Sequence, residues 1–425
     1  MSPVLSEDDT ALPKVDFDKI EDNQDAFTLL PHGHKDMVQA TAFNVYGDRF
    51  ASSSADGKIK AYNRHKDGTW NLCDTWAAHT AEILQIQWLP PTIHPNLIAS
   101  IGTDGRYKLW VEDATQPPGK GRRFNSHSNK PVHELRSPSR APYLSFAITH
   151  NPETRHTYLA LLDRHAVLSV YENDEPENLE AWSDLDRVTV CERPARGEEV
   201  AFKVAFDPNL EPCYAGIRQG VPRDALGIVV ASMGRASVWR TKEISHSVSL
   251  GSSTTKEFYL AAELKGHKGL VRDVAWAPGN VRGFDIIATA CKDGFVRVFQ
   301  VTTPGRGGKT QRSFAKAPDK VVVVQQRSVE SGSRPSGIGA GLQGARAGLS
   351  GREKDARIGE GEVPHVAKEV SRLETMTPVW KVDFDADGQL LGSTGDDGKL
   401  ILWRREPSGA WSKSSELAMA KTPVS

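Results

Sequence analysis

HKDMVQATAFNVYGDRFASSSADGKIKAY, residues 34–62, decides the fold. It reads as a histidine followed by three short β-rich runs, VQATAF, FASSSA and KIKAY, with an Asp56-Gly57 turn between the last two. Apolar residues recurring at period two argue for strands rather than helices. Asp-Gly between two such runs is a hairpin signal, because the turn needs a positive φ that glycine adopts without steric cost. The pattern then repeats: His34 to Phe43, His79 to Trp88 and His267 to Trp276 each advance nine positions, and Asp104-Gly105, Asp293-Gly294 and Asp397-Gly398 renew the turn. Repetition of this kind marks a β-propeller, whose sheets cannot bury both faces alone and must stack around an axis.

Six units follow, closing at Tyr62, Trp110, Tyr171, Trp239, Phe299 and Trp403. The second is ILQIQW, LIASIG and RYKLW; the third APYLSFAI, TYLALL and AVLSVY; the fourth EVAFKVAF, GIVVAS and ASVWR. The fifth is GLVRDVAWAP, IIATAC and GFVRVFQV, and the sixth TPVWKVDF, LLGSTG and KLILWR. Runs between units, such as TWNLCDTW and YLAAELKG, supply a fourth, outer strand. The expectation is an all-β, WD40-type propeller of six four-stranded blades.

Residues 1–25 carry eight acids against two lysines and read as a disordered acidic tail. Blades one to five are expected over 26–303, and the end of blade five with blade six over 364–418. Residues 419–425 form a short C-terminal tail. The stretch 304–363 is rich in Gly, Ser and Arg, with eleven basic against six acidic residues, and reads as a flexible insertion. It suits loose electrostatic contact, modification or simple solubilisation. A polar excursion around Gly119–Ala141 separates the second and third units.

Over 425 residues the formal charge is −1, so no global field calls for nucleic acid, and a protein partner is the better default. Cys73, Cys191, Cys213 and Cys291 are scattered, without metal-ligand spacing, as expected of thiols in a reducing compartment. No secretory signal or apolar span is legible, which points to the cytosolic or nuclear side. Gly339, Gly341 and Gly344 have dinucleotide-loop spacing but neither a preceding strand nor a following helix pattern, and Gly308-Lys309-Thr310 lacks the first glycine of a phosphate loop. No cofactor, metal or catalytic residue is expected.

In well-formed blades of this type a histidine, a hydroxyl, a turn aspartate and a third-strand aromatic form a hydrogen-bonded chain. The matching sets are His34, Ser52, Asp56 and Tyr62; His79, Ser100, Asp104 and Trp110; His267, Thr289, Asp293 and Phe299. Histidine, hydroxyl and acid invite a hydrolase reading, yet an active site is needed once and a staple in every blade. In the sixth unit Thr375 takes the histidine's place, which leaves Asp397 without that partner beside Trp403. The third and fourth units lack the pattern and are expected to rely on apolar packing.

Residues 34–88, ASIGTDGRYKLWVED (99–113) and AWAPGN (275–280) together resemble the Seh-type WD-repeat nucleoporins, relatives of the small WD-repeat subunit shared by the COPII coat and the nuclear pore scaffold. The resemblance runs from about Phe27 to Leu417. His34-Lys35-Asp36, the Asp67-Gly68-x-Trp70 hairpin and the divergent middle blades carry it jointly. It implies an open propeller completed in trans by a β-blade from a helical scaffold nucleoporin. It also implies membership of the Y-shaped pore complex, with roles in pore assembly, mRNA export and protein transport at the nuclear envelope. A second pool in the SEA complex at the vacuolar membrane, acting in TOR signalling, is implied as well.

The residues offer a reason for openness. Trp411–Leu417 gives the sixth blade its own outer strand, so Phe27–Leu30 is surplus beside an unclosed seam. Phe27, Leu29 and Leu30, with the neighbouring faces of blades one and six, are therefore the candidate partner seam, or else merely cover the propeller edge. The rival functions are a COPII-type coat subunit and a peptide-reading adaptor; for the latter the loops before the first strands carry little beyond Lys35, Asp36, Glu82 and Lys268.

Overall fold

The period-two runs become strands, and each consecutive set of four pairs antiparallel into one sheet. The computed structural model describes residues 30–90, 96–124, 130–248, 251–279, 283–304 and 362–418. Blade one holds β1 (Val38–Phe43), β2 (Arg49–Ser54), β3 (Lys58–Arg64) and β4 (Trp70–Ala77). Blade two holds β5 (Ile83–Trp88), β6 (Leu97–Gly102), β7 (Arg106–Val111) and β8 (His133–Arg136), so the polar excursion supplies its outer strand. Blade three is β9 (Tyr143–His150), β10 (Thr157–Asp163), β11 (Val167–Asn173) and β12 (Ser183–Thr189). In blade four, β13 (Phe202–Phe206) and β14 (Gly227–Ser232) precede a long hairpin, β15 (Arg235–Val248) and β16 (Gly251–Leu264). A short helix, α1 (Tyr214–Gln219), lies between β13 and β14. Blade five is β17 (Val271–Trp276), β18 (Asp285–Cys291), β19 (Phe295–Thr302) and β20 (Val366–Glu374); blade six is β21 (Val379–Phe384), β22 (Leu390–Gly395), β23 (Lys399–Arg405) and β24 (Trp411–Ala418). The architecture is the expected six-bladed propeller.

Most of the predicted acidic tail, the insertion and the C-terminal tail lies outside the described residues, as do Phe27 and Leu29. Leu30 is described; it is half-buried and belongs to no strand. Glu362 and Val363, assigned to the insertion by sequence, dock against blade four. Lys242 pairs with Glu362 at 2.5 Å, and the Val363 amide donates to the Tyr259 hydroxyl at 3.2 Å.

The core is divided by boundary rather than gathered at one centre. Five apolar clusters span the junctions one–two, two–three, three–four, four–five and five–six. Among the described residues no sixth cluster joins blade six to blade one. The second strands record the same asymmetry: β6, β10, β14 and β18 are buried at every position, as a sheet covered on both faces must be. In β22 only Leu391 and Ser393 are buried, and Arg49 and Phe50 of β2 are half-exposed.

Candidate partner-binding seam

The staples sit where a strand-entry loop meets the turn of the same blade. Only in blade two do all four residues join. His79 Nδ1 lies 3.0 Å from both Asp104 oxygens, His79 Nε2 lies 2.9 Å from Ser100 Oγ, and Trp110 Nε1 donates to Ser100 Oγ at 3.2 Å. Burial opposes ionisation of Asp104, yet the bonds from His79 and the Thr80 and Arg106 amides hold its pKa below the usual carboxylate range.

Blade one is looser. His34 Nε2 lies 2.9 Å from Ser52 Oγ, but Nδ1 stands 3.6 Å from Asp56, beyond a hydrogen bond. Asp56 accepts instead from the Lys35 and Lys58 amides, and the Tyr62 hydroxyl donates to the His32 carbonyl. In blade five His267 Nε2 lies 2.9 Å from Thr289 Oγ1, but Arg297 takes Asp293 in a two-pronged bond of 3.0 and 2.7 Å. Arg297 and the Lys268 amide outweigh burial there and hold Asp293 down to about 2. Phe299 packs tilted against the His267 ring, centroids 5.8 Å apart, in place of a donor.

In blade six the Thr375 hydroxyl turns to the Gly294 and Thr377 carbonyls, Asp397 caps the Lys399 amide, and Trp403 donates to Ser393, a partner the sequence reading had not named. Blades three and four are not purely apolar either. Ser137 and Ser139 donate to buried Asp163 at 3.1 and 2.5 Å. Between blades four and five, buried Arg240 donates to Asp285 at 2.7 Å and faces Asp207 at 3.5 Å. Burial, together with the neighbouring Asp285 carboxylate, raises Asp207 well above the usual range.

Polar links also stitch the inner strands together. The Gln85 amide group bonds both the Phe146 amide and its carbonyl; the Val204 amide donates to Ser145; the Val382 amide donates to Asp273; and Trp88 Nε1 donates to the Ala42 carbonyl. These links cross the boundaries two–three, three–four, five–six and one–two, and the Arg240 pair crosses four–five. No corresponding link runs from blade six to blade one among the described residues.

What remains at that boundary is two uncovered sheet faces. On blade one, direct register aligns Phe43, Phe50, Tyr62 and Leu72 across all four strands, on the face opposite the Ala40 and Ala42 side that packs on blade two; Tyr62 is already buried and donates to the His32 carbonyl, which leaves Phe43, Phe50 and Leu72 uncovered. Phe43 is 59% and Leu72 43% exposed, and Phe43 and Phe50 pack with Trp70 at 5.7 and 6.0 Å. On blade six, Lys381 and Asp383 from β21, Gly392 from β22 and half-buried Leu400 and Leu402 from β23 share the face turned away from blade five. An apolar row of this extent is unusual on a finished surface and marks a contact face. The sequence places the seam at Phe27, Leu29 and Leu30 with the neighbouring faces of blades one and six, and the period-two pattern of β1 and β23 identifies the side chains those faces carry.

Among the described residues no three His, Cys, Asp or Glu side chains group as metal ligands, and no helix is long and apolar enough to cross a membrane. The family model described as "WD domain, G-beta repeat" matches residues 26–63, 258–300 and 368–404. Nucleoporin SEH1 of Chaetomium thermophilum is 40% identical, covering 95% of this chain and 97% of its own length. Nucleoporin SEH1 of Saccharomyces cerevisiae is 28% identical over 88% of this chain and 93% of its own, and Nucleoporin seh1 of Schizosaccharomyces pombe 26% over 93% and 97%. With a six-bladed propeller and likeness to a nucleoporin along nearly its whole length, the chain belongs to the SEH1 nucleoporins, non-enzymatic WD-repeat scaffold proteins.

Proposed function

We propose that this chain is a subunit of the Y-shaped coat of the nuclear pore and that blades one and six receive between them a short β-blade donated by a helical scaffold nucleoporin. The observation that carries the reading is the pair of half-covered sheets. β24 already fills the outer position of blade six, so its open side is a face and not merely an edge. A guest sheet inserted there would cover Phe43, Phe50 and Leu72 on one side and Leu400 and Leu402 on the other, as each resident blade covers its neighbours. Leu30, with Phe27 and Leu29 before it, leads into the first blade beside this gap and would flank the guest. Through that coat the chain would serve pore assembly, mRNA export and protein transport, and through the SEA complex it would act at the vacuolar membrane in TOR signalling.

Co-expression with the helical nucleoporin tests the seam. Phe43→Asp and Leu72→Asp alter exposed side chains, so the melting temperature of the free chain should stay within about 2 °C of wild type. Recovery of the complex should fall at least tenfold, while Tyr214→Asp on α1, equally exposed, should leave it unchanged. Deleting residues 26–31 should weaken the complex too. Undiminished recovery of Phe43→Asp would refute the seam, and capture of a vesicle-coat partner in place of a nucleoporin would move the chain to the COPII reading.

A further inference from the structure

In blades two and five the staple histidine follows directly on the outer strand of the blade before it. β4 ends at Ala77, two residues before His79, and β16 at Leu264, three before His267. The entry into blade two has a definite hydrogen-bond pattern. The Ala78 carbonyl, just before His79, accepts from Lys108 Nζ at 2.8 Å, and Lys108 stands opposite Ser100, which His79 Nε2 meets at 2.9 Å. Blade one repeats it. The Gly33 carbonyl, just before His34, accepts from Lys60 Nζ at 2.8 Å, and Lys60 stands opposite Ser52, which His34 Nε2 meets at 2.9 Å. The residue after each histidine, Lys35, Thr80 or Lys268, sends its amide to the turn aspartate, and the Tyr62 hydroxyl holds the His32 carbonyl at 3.1 Å. Residues 30–33 therefore enter blade one as the end of β4 enters blade two.

That entry places the chain before His34 at the outer edge of a sheet preceding blade one. Blade six is not that sheet, because β24 already holds its outer position. Resting on the seam reading above, we infer that residues 26–30 form the outer strand of the inserted blade, so that the partner supplies three inner strands and two chains share one sheet. Residues 26–30 run antiparallel to the partner's third strand, and backbone hydrogen bonds join them. The faces follow from the two outer strands already placed. Counting back from the histidine, the third and fifth residues, Trp76 and Asp74 in β4 and Leu264 and Ala262 in β16, are buried, and the apolar ones pack at the boundary with the following blade. The fourth and seventh turn to the other side; the seventh, Leu72 or Leu260, pairs there with Tyr62 or Trp239. The same count turns Leu29 towards blade one and Phe27 and Leu30 towards blade six, an apolar side chain for each wall of the gap. Pro31 falls at the end of this strand, where an outer edge tolerates it.

Hydrogen exchange on the full-length chain, alone and bound to its helical nucleoporin, tests the shared sheet. In the free chain the amides of residues 27–29 should exchange at the rate of an unpaired backbone; in the complex they should slow by about a hundredfold or more, while those of residues 5–20 stay fast. Thr28→Pro and Leu29→Pro each remove one backbone donor, and since neighbouring amides point to opposite edges, one of the two faces the guest. That variant should bind about tenfold more weakly with the free chain's melting temperature unchanged, and Thr28→Ala should bind as wild type. If residues 27–29 stay fast in the complex, or both proline variants bind as wild type, while Phe43→Asp does not bind, the seam stands, the guest carries its own outer strand and the inference is overturned. If Phe43→Asp binds as wild type, the seam itself is wrong. Protection already complete in the free chain would mean that the segment covers the propeller edge unaided, and that too overturns the inference.

Discussion

His79 is tied at both ring nitrogens inside the first sheet boundary, and that makes it the most consequential single side chain in the staples. Truncating it leaves buried Ser100 with the Trp110 donor alone and Asp104 with only the Thr80 and Arg106 amides, so His79→Ala should cost about 2–3 kcal/mol in a chemical melt, against about 1 kcal/mol for Trp110→Phe, which removes one terminal donor. Equal effects would show the chain to be incidental. His267 carries a pH dependence. Burial first, and then the Arg297 charge, push it down to about 4, and burial with Arg240 pushes His365 down to about 3. Both therefore fold neutral and lie below the unfolded value near 6.5. Their stabilising contribution is complete above pH 6.5 and is lost as pH falls towards 4, at about 1.4 kcal/mol per unit for each. His34, His133 and His150 shift the same way. Melts at pH 7.5 and pH 5 should differ clearly for the wild type and by less for His267→Gln; an unchanged difference would remove His267 from the account.

At the scale of elements, the Asp-Gly turns make four of the six blades legible in the sequence. The other two hid for a physical reason. In blade three the left-handed turn position is held by Ala166 at φ 63°, a conformation that costs an L-residue about 1–2 kcal/mol, so the glycine that marks the turn elsewhere is missing. In blade four, Met233 at φ 56° begins a two-residue turn, and β15 runs on from a recognisable ASVWR into a polar stretch that never alternates. The excursion after blade two hid differently, because its anchor lies far away in sequence. Buried Asp74 of β4 accepts the amides of Gly121, Arg123 and Phe124 at 2.7, 2.7 and 3.2 Å, and Phe124 then stacks on Trp76 at 4.4 Å. No local pattern announces a carboxylate that caps a loop some fifty positions on. Asp74→Ala should lower stability by about 3 kcal/mol and speed hydrogen exchange at those three amides more than in blade five. Exchange faster everywhere by the same factor would mean a global effect and not an unhooked loop.

At the scale of the whole molecule, the one boundary that the described residues do not form, between blades six and one, ought to set the order in which the sheets loosen. A propeller blade is held by its two neighbours, since the sheet alone cannot cover its apolar faces. Among the described residues blades two to five have both neighbours and blades one and six have one each, and the partly exposed strands β2 and β22 register that difference. The sequence reading reached openness through the surplus of strands at the termini, whereas the stronger sign is distributed: residues such as Phe43, Leu72, Leu400 and Leu402 become a surface only after register places them side by side. In the free chain, amides of β2 and β22 should therefore exchange faster than those of β6, β10, β14 and β18, by about tenfold for each 1.4 kcal/mol of missing burial. Binding of the helical nucleoporin should bring the two sets together, because the guest sheet restores the absent neighbour to both. A complex that slowed exchange only at blade four, around β15 and β16, would place the interface on the long hairpin and leave the seam without a role.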